Sequence, residues 1–492
     1  MKNILIKGVV TFFTGILLVT GCTGDFDEIN TDPDAYPYVP HTNVLGDMIR
    51  RTATQHGGDI GGYGTWAGYI AKVQYLDYMG GIIPSDNTYG NRWTNCYVAN
   101  WQLKNILDLT ETDIEGNKNM RFACRIWQNY LWSYLLDGWG DIPYSEALKG
   151  AEEDGQILFT KYDKQEEVYP QVMNSLKAIA DEMAAGLGSD DLGEGDFLFN
   201  GDVEKWQRLC NSLRLRMAMR IVNVMPDLAK STIEEICGSP SKYPFINLNA
   251  NAADFWWQGS GEYFERWYND FRTRDDFGVS DIFIDHLKDM QDPRLSSIAK
   301  PAETDGEYRG VQNGPASVAD IKAISRIGVM YREDPDGFTP FFQACESYFI
   351  IAEAAVLGWN VGMTAEEAYE KAVRLSMAVN EVSNADADTY LAGKGKWNNT
   401  REQIWWEMWV GLFKNNFEAW ALYRRTGVPT TNYPAIESVW KGIHNDQPFR
   451  LPYPNNQYLF NTEMVNAAVS SQGTVDYCWG KQLFWDTRTG VN

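Results

Sequence analysis

The chain has 492 residues, 44% of them hydrophobic and 22% charged, a globular balance that excludes a disordered or fibrous polypeptide. Its 43 Lys plus Arg against 66 Asp plus Glu give a formal net charge of −23, a surface that repels phosphate backbones and polyanionic substrates. Four His leave little material for a multi-histidine metal site, whereas 19 Trp and a 14% aromatic content call for an explanation.

The N-terminus reads as an address. Lys2 and Lys7 make a positive region, and Gly8 to Val19 is an apolar run. That run suits a signal peptide and falls short of the roughly 20 residues a membrane-spanning helix needs. It ends in Leu18-Val19-Thr20-Gly21-Cys22, where small residues before the thiol suit a lipoprotein signal peptidase, as in a bacterial lipobox. The expectation is a signal peptide over residues 1–21 and a mature body, residues 22–492, tethered through acyl chains (palmitate among them) on Cys22. More than one chain makes such an anchor stable. No later stretch reads as a span, because the most apolar one, Tyr348 to Trp359, carries Glu353 inside it.

Along the body, apolar residues recur at helical spacing. Ala123, Ile126, Trp127, Tyr130, Leu131, Tyr134 and Leu135 share one face. Asp202 is placed to cap a helix whose face carries Trp206, Leu209, Cys210, Leu213, Met217, Ile221 and Val224. Tyr348, Ile351, Ala352 and Ala355 form a third face, and Thr364 with Glu367 has capping-box spacing. Trp405, Met408, Trp409, Leu412 and Phe413 form a fourth, and Gly427 followed by Pro429 stops a helix. Alternating strand patterns are scarce, so the fold class is mostly α, built from helix pairs; no clean 34-residue repeat is present, so any helical-repeat core is degenerate. Cys96, Cys124, Cys210, Cys237, Cys345 and Cys478 are even in number, which permits disulfides. Cys124, Cys210 and Cys345 lie on apolar helix faces, which equally suits buried free thiols.

Long connections rich in Gly and Asn interrupt the helices: Gly57 to Gly64, Gly80 to Asn91, Gly186 to Asn200, Asn249 to Gly278, and Glu303 to Gly337. Loops of this length in a compact domain usually have a job. The segment Asn249 to Gly278 concentrates rings, among them Phe255, Trp256, Trp257, Tyr263, Phe264, Trp267 and Tyr268, beside Gln258, Asn269, Asp270 and Arg272. Flat rings next to amides, carboxylates and guanidinium groups suit a sugar, which offers an apolar C–H face and a fringe of hydroxyls. The competing reading of the same rings is a small core that holds the loop down.

The motifs resemble those of a known family. Gly138-Trp139-Gly140-Asp141-Ile142-Pro143-Tyr144, Gly201-Asp202-Val203-Glu204-Lys205-Trp206, and Asn211 with Arg214, Arg216 and Arg220 are followed in order by Asp292-Pro293-Arg294-Leu295 and Ala352-Glu353-Ala354-Ala355. Glu418-Ala419-Trp420, Arg424-Arg425-Thr426-Gly427 and Arg450-Leu451-Pro452-Tyr453-Pro454 complete the series. The chain resembles the SusD/RagB-type outer-membrane lipoproteins of Bacteroidetes, in the SusD-like branch. The resemblance implies degenerate tetratricopeptide-like helix pairs with long irregular loops forming a ligand-binding part, about residues 230–340, in one domain with an N-terminal arm over residues 22–40. It implies a lipid-anchored protein on the outer face of the outer membrane. There it captures oligosaccharides as a lid over a SusC-like TonB-dependent barrel that supplies the energy. The signature residues are read as structural ties, and the ligand residues are assigned by position to the loops Gly80 to Trp93 and Asn249 to Gly278. The candidates are Tyr89, Asn91, Trp93, Trp256, Trp257, Tyr263, Trp267 and Arg272. Trp93 and Tyr97, spaced i, i+4, also suit the opening of a core helix.

No catalytic motif is present, so the protein is expected not to be an enzyme and to need no cofactor. Asp334-Pro335-Asp336-Gly337, or Asp190, Asp191, Glu194 and Asp196, would be the places for a structural calcium, although neither has an EF-hand period. Two other functions stay open: an oligopeptide receptor of the same transporter type, and a surface glycoside hydrolase working through a carboxylate pair.

Overall fold

In a computed structural model the described residues are 39–57, 60–75, 86–150, 159–313, 319–430, 444, 446–473 and 478–491. The signal stretch, Cys22, the arm as far as residue 38 and the connection 76–85 lie outside them. Residues 42–492 form one compact unit; of the unit formed by residues 1–41, only 39–41 are described.

The apolar periodicity becomes a run of helices: α1 (His41–Gly57), α2 (Tyr63–Trp66), α3 (Asp86–Leu109), α4 (Lys118–Trp139), α5 (Gln165–Ala185), α6 (Val203–Arg220) and α7 (Pro226–Gly238). From α3 onward each packs on the next, as in a repeat solenoid. The short strand β1 (Ile70–Lys72) follows α2. Among the described residues, 239–343 hold only short elements. These are β2 (Ala253–Trp256), α8 (Arg266–Phe271), β3 (Phe277–Val279), α9 (Asp281–Asp289), α10 (Leu295–Ile298), β4 (Ala299–Lys300), β5 (Arg326–Ile327), α11 (Val329–Arg332) and β6 (Phe338–Phe342). Helices then resume with α12 (Ala344–Val356), α13 (Ala365–Val379), α14 (Asn384–Ala392), α15 (Arg401–Gly411) and α16 (Asn416–Thr426). After them come α17 (Asn455–Phe460) and α18 (Thr462–Ser471). The mostly helical, tetratricopeptide-like architecture expected from the sequence is the one observed, with α12 and α13 packed as a pair against α15.

The helix signals act as read. Asp202 accepts the Lys205 N–H at the start of α6, and Thr364 and Glu367 close a full capping box on α13. Gly427 ends α16 in the left-handed region, φ 77°, where a Cβ would be strained.

Because α6 is buried over most of its circumference, Arg214, Arg216 and Arg220 cannot point to water. Each therefore meets a carboxylate or carbonyl from elsewhere. Arg216 makes a bidentate pair with Glu346 of α12 at 2.6 Å and 2.6 Å, donates to the Phe341 carbonyl at 2.7 Å, and lies 3.3 Å from Glu418 of α16. Arg220 bonds Asp137 of α4 at 3.1 Å and Glu418. Glu353, the charge inside the most apolar stretch, receives Arg425 at 2.8 Å on both oxygens and Arg401 at 2.8 Å. Arg424 donates to the Asp137 carbonyl at 2.7 Å and stacks 3.4 Å from the centre of the Trp420 ring. Trp139 donates from its indole N–H to the Pro452 carbonyl at 2.7 Å, and Asp141 accepts the Gln165 N–H at 3.0 Å. The signature residues thus tie helix to helix and helix to tail.

Burial by itself would raise the Glu353 carboxyl, but the Arg425 and Arg401 guanidinium groups hold it down to about 2, against an ordinary 4.5. A folded value below the unfolded one means stability that is complete above pH 4.5 and lost as the pH falls through 2. At ~1.36 kcal/mol per unit that contribution is about 3 kcal/mol. Glu353→Gln is expected to cost about 3–5 kcal/mol at pH 7, because it strands the buried Arg425 guanidinium. It should also flatten the fall in stability across that acidic window, as measured by denaturant unfolding of both proteins at a series of pH values.

Candidate functional site

Strand β2 runs antiparallel to β6, with Ala253 opposite Phe342 and Trp256 opposite Phe338. Alternation along a strand sends Ala253, Phe255 and Trp257 inward and Trp256 outward. Trp256 is 61% exposed, with its ring centre 5.2 Å from that of Phe338. Trp257 continues the ladder, its N–H donating to the Gly337 carbonyl at 3.0 Å and its indole N–H to Thr339 Oγ1 at 3.0 Å. The chain then turns at Gly259, φ 66°, where it lies so close to Asp336 that a Cβ would come within 2.8 Å of the Asp336 Cβ. The turn presents Tyr263, 43% exposed, with the Arg50 guanidinium 5.7 Å from its ring centre. Arg50 is itself held by Asp47 at 2.6 Å.

Glu265 starts α8. Its carboxylate accepts the Tyr268 N–H at 2.8 Å, and its own N–H donates to the Pro335 carbonyl at 2.9 Å. Trp267 and Phe271 point into the core. Phe264 and Tyr268 meet at a tilt on the outer side, ring centres 5.4 Å apart, and the Arg272 guanidinium lies 4.8 Å from the Phe264 ring centre. Beside them opens a cleft of about 390 Å³. Asn269, Asp270, Arg272, Thr273, Arg274 and Asp276 supply its polar lining, with Phe271 and Phe277 as its apolar wall. The antiparallel pairing of β1 with β3 brings Tyr75 here: Val73 N–H donates to the Asp276 carbonyl at 2.8 Å. Arg274, ion-paired with Asp276 at 2.5 Å, stands 5.0 Å from the centre of the Tyr75 ring, which is 57% exposed. Burial pushes the Asp270 carboxyl up, against the pull of nearby Arg266. Exposed rings beside a cleft lined with amide, hydroxyl, carboxylate and guanidinium groups offer the two surfaces of a sugar their matching partners.

Of the candidate residues, Arg272 lines this cleft, and Trp256 and Tyr263 are exposed on the chain that leads to it. Trp257 and Trp267 do not: both rings are buried in the core, Trp257 because it is the inward neighbour of Trp256, Trp267 because it is on the inner side of α8. The expected loop from Gly80 to Trp93 is instead helical from Asp86 onward. Tyr89 is buried against Trp66 and Tyr63, and Trp93 against Trp139, Tyr97 and Tyr453, because the spacing of Tyr89, Trp93 and Tyr97 marks the inner stripe of α3. Asn91 is exposed on α3 and is not among the cleft residues. Thr273, Arg274 and Asp276 line the cleft and Tyr75 borders it without having been among the candidates. The dense charges after Arg272 were a local signal for the first three, whereas Tyr75 depends on the β1–β3 pairing and had none.

Asp190 and Asp196, considered for calcium, serve as acceptors. Asp190 takes the Asn119 and Met120 N–H groups at 2.9 Å each, and Asp196 takes the Trp206 indole at 2.8 Å along with backbone N–H groups. Among the described residues no group of three or more His, Cys, Asp or Glu is arranged to hold a metal ion. The cysteines named above, apart from Cys22, are free thiols, all but Cys237 buried.

Residues 47–454 match the SusD-like family model described as "Starch-binding associating with outer membrane". The chain belongs to the SusD-like family. Among solved structures, one described as a chitin-binding protein is 26% identical with a TM-score of 0.78, covering 91% of this chain and 99% of its own. A chitin-binding SusD homologue from Flavobacterium johnsoniae is 24% identical, TM-score 0.77, covering 91% of this chain and 99% of its own. A SusD-like protein from Bacteroides thetaiotaomicron is 22% identical, TM-score 0.77, covering 92% of this chain and 100% of its own. The last two likenesses concern fold alone. No curated protein sequence matches the chain. Among the described residues no helix of this SusD-like protein is long and apolar enough to cross a membrane.

Core and rim indoles should separate cleanly on substitution. Trp267→Ala is expected to lower unfolding free energy by about 3–5 kcal/mol, the cost of emptying a large core site. Trp256→Ala, a surface change, should alter it by no more than about 0.5–1 kcal/mol. Denaturant unfolding followed by far-ultraviolet circular dichroism measures both.

Proposed function

We propose that this SusD-like protein is a non-enzymatic, lipid-anchored receptor at the outer membrane that captures oligosaccharides and delivers them, as a lid, to a SusC-like TonB-dependent transporter. The observation that carries the reading is the juxtaposition on one ribbon of chain of an exposed indole, Trp256, and a polar cleft beginning at Asn269. The family description names starch, and a structure 26% identical is described as chitin-binding; both support a carbohydrate ligand and make starch and chitin oligosaccharides the first to test. The lipobox ending at Cys22 supports the anchor. Delivery to an energised barrel leaves the receptor only the task of binding. Its affinity comes from ring stacking and hydrogen bonds to hydroxyls.

Titration calorimetry against a glycan panel tests this. Trp256→Ala and Arg272→Ala should each weaken the best oligosaccharide by about 10–100-fold, equal to roughly 1–3 kcal/mol, while the melting temperature stays nearly constant. Folded protein that binds no glycan in the panel, or that binds short peptides instead, would reject the carbohydrate reading. Cys22→Ala should move the protein out of the membrane fraction and abolish incorporation of labelled palmitate; retention in that fraction would reject the anchor.

A further inference from the structure

Lys414 lies in the turn between α15 and α16 with a left-handed backbone, φ 79°. Its side chain is buried, and its ammonium group has the Glu265 carboxylate at 3.3 Å as ion-pair partner. Three rings close around the same nitrogen, with centres at 4.9 Å for Phe338, 5.5 Å for Trp267 and 5.6 Å for Tyr331. An ammonium group enclosed by ring faces and one carboxylate is held by cation–π attraction and by the ion pair together.

The two partners of this lysine lead to the two halves of the ligand-binding face. Glu265 caps α8 through the Tyr268 N–H, and α8 carries Tyr268 and leads into the cleft at Asn269. Phe338 faces Trp256 across the β2–β6 pair, and the two rings meet at a tilt of 44°. We infer that Lys414 is a positioning residue for the binding face, a buried cation that ties the Trp256 platform and the cleft-bearing helix α8 to one point of the helical scaffold. It touches no ligand surface. It acts by holding Phe338 behind Trp256 and Glu265 at the head of α8, so that the distance between stacking ring and cleft stays constant before a ligand arrives. Such preorganisation spares a ligand the entropy of ordering the site. For the ligand class the inference rests on the carbohydrate reading; the ordering of Trp256 does not.

The test removes the charge pair without leaving either partner stranded. In the full mature chain, Lys414→Met combined with Glu265→Gln should still unfold cooperatively, while affinity for the best oligosaccharide of the panel drops roughly tenfold or more. The readout that a merely structural role would not move is the fluorine NMR resonance of Trp256 in protein labelled with 5-fluorotryptophan, assigned by Trp256→Phe. It should broaden or split in the double variant and stay sharp in the parent. Unchanged affinity with an unchanged Trp256 resonance would overturn the inference and leave the carbohydrate reading standing. If the parent binds no glycan, that reading fails, and the resonance alone decides the role of Lys414. Should the double variant fail to fold, Phe338→Leu removes only the ring between the ammonium group and Trp256. It is expected to broaden the same resonance, and a sharp signal would again overturn the inference.

Discussion

The Arg216 guanidinium lies between the carboxylates of Glu346 and Glu418, and the rest of the scaffold is arranged so that it can stay there. A central helix that faces protein on nearly every side has no polar face to give to water, so its charges must be answered by charges on the elements around it. Those elements are distant in sequence: α12 supplies Glu346, α16 supplies Glu418, and α4 supplies Asp137 to Arg220. Apolar contacts between helices tolerate small shifts in angle and register. A bidentate guanidinium–carboxylate pair at 2.6 Å tolerates far less, and breaking one buried partner strands the other. The same logic recurs at Glu353 with Arg425 and Arg401, and at Arg294 with Asp292 and Glu407. The Arg216 and Arg220 pairs bind the first helical run to the second, Arg294 ties the irregular stretch to α15, and Glu353 joins α12 to α15 and α16.

That rigidity bears on the candidate face. The ribbon from β2 through α8 to β3 is short of its own secondary structure, yet its rings have defined positions because it is fastened at three points along its length. Thr339 takes the Trp257 indole, Lys414 takes Glu265, and β1 takes β3. The result is a surface in which neighbours in sequence have opposite fates. Trp256 and Trp257 are adjacent, and the two-residue period of a strand puts one in solvent and the other in the core.

Membership of the SusD-like family places this arrangement among proteins that share its fold. The signature residues of the scaffold, Trp139, Asp141, Arg216, Glu353 and Arg424 among them, are spent on internal contacts. The exposed rings and cleft side chains come instead from residues 256–276, with Tyr75 added from β1's far end. The internal ties and the candidate face are therefore built from largely separate sets of residues, joined where Lys414 meets Glu265.

Local chemistry written in the sequence determined the helical class, the caps at Asp202 and Thr364, the stop at Gly427 and the ring-rich segment that bears the candidate face. Each depends on residues within a few positions of one another, so periodicity and turn chemistry suffice to read it. Only the tertiary structure decided which rings face solvent. It buried Tyr89 and Trp93 on the inner stripe of α3 and Trp257 and Trp267 under the ribbon, left Trp256 and Tyr263 open, and brought Tyr75 against Arg274. The reason is physical: burial belongs to the packing partner and not to the ring. The partners here, Thr339, Lys414 and the β1 strand, lie far along the chain from the residues they cover or position.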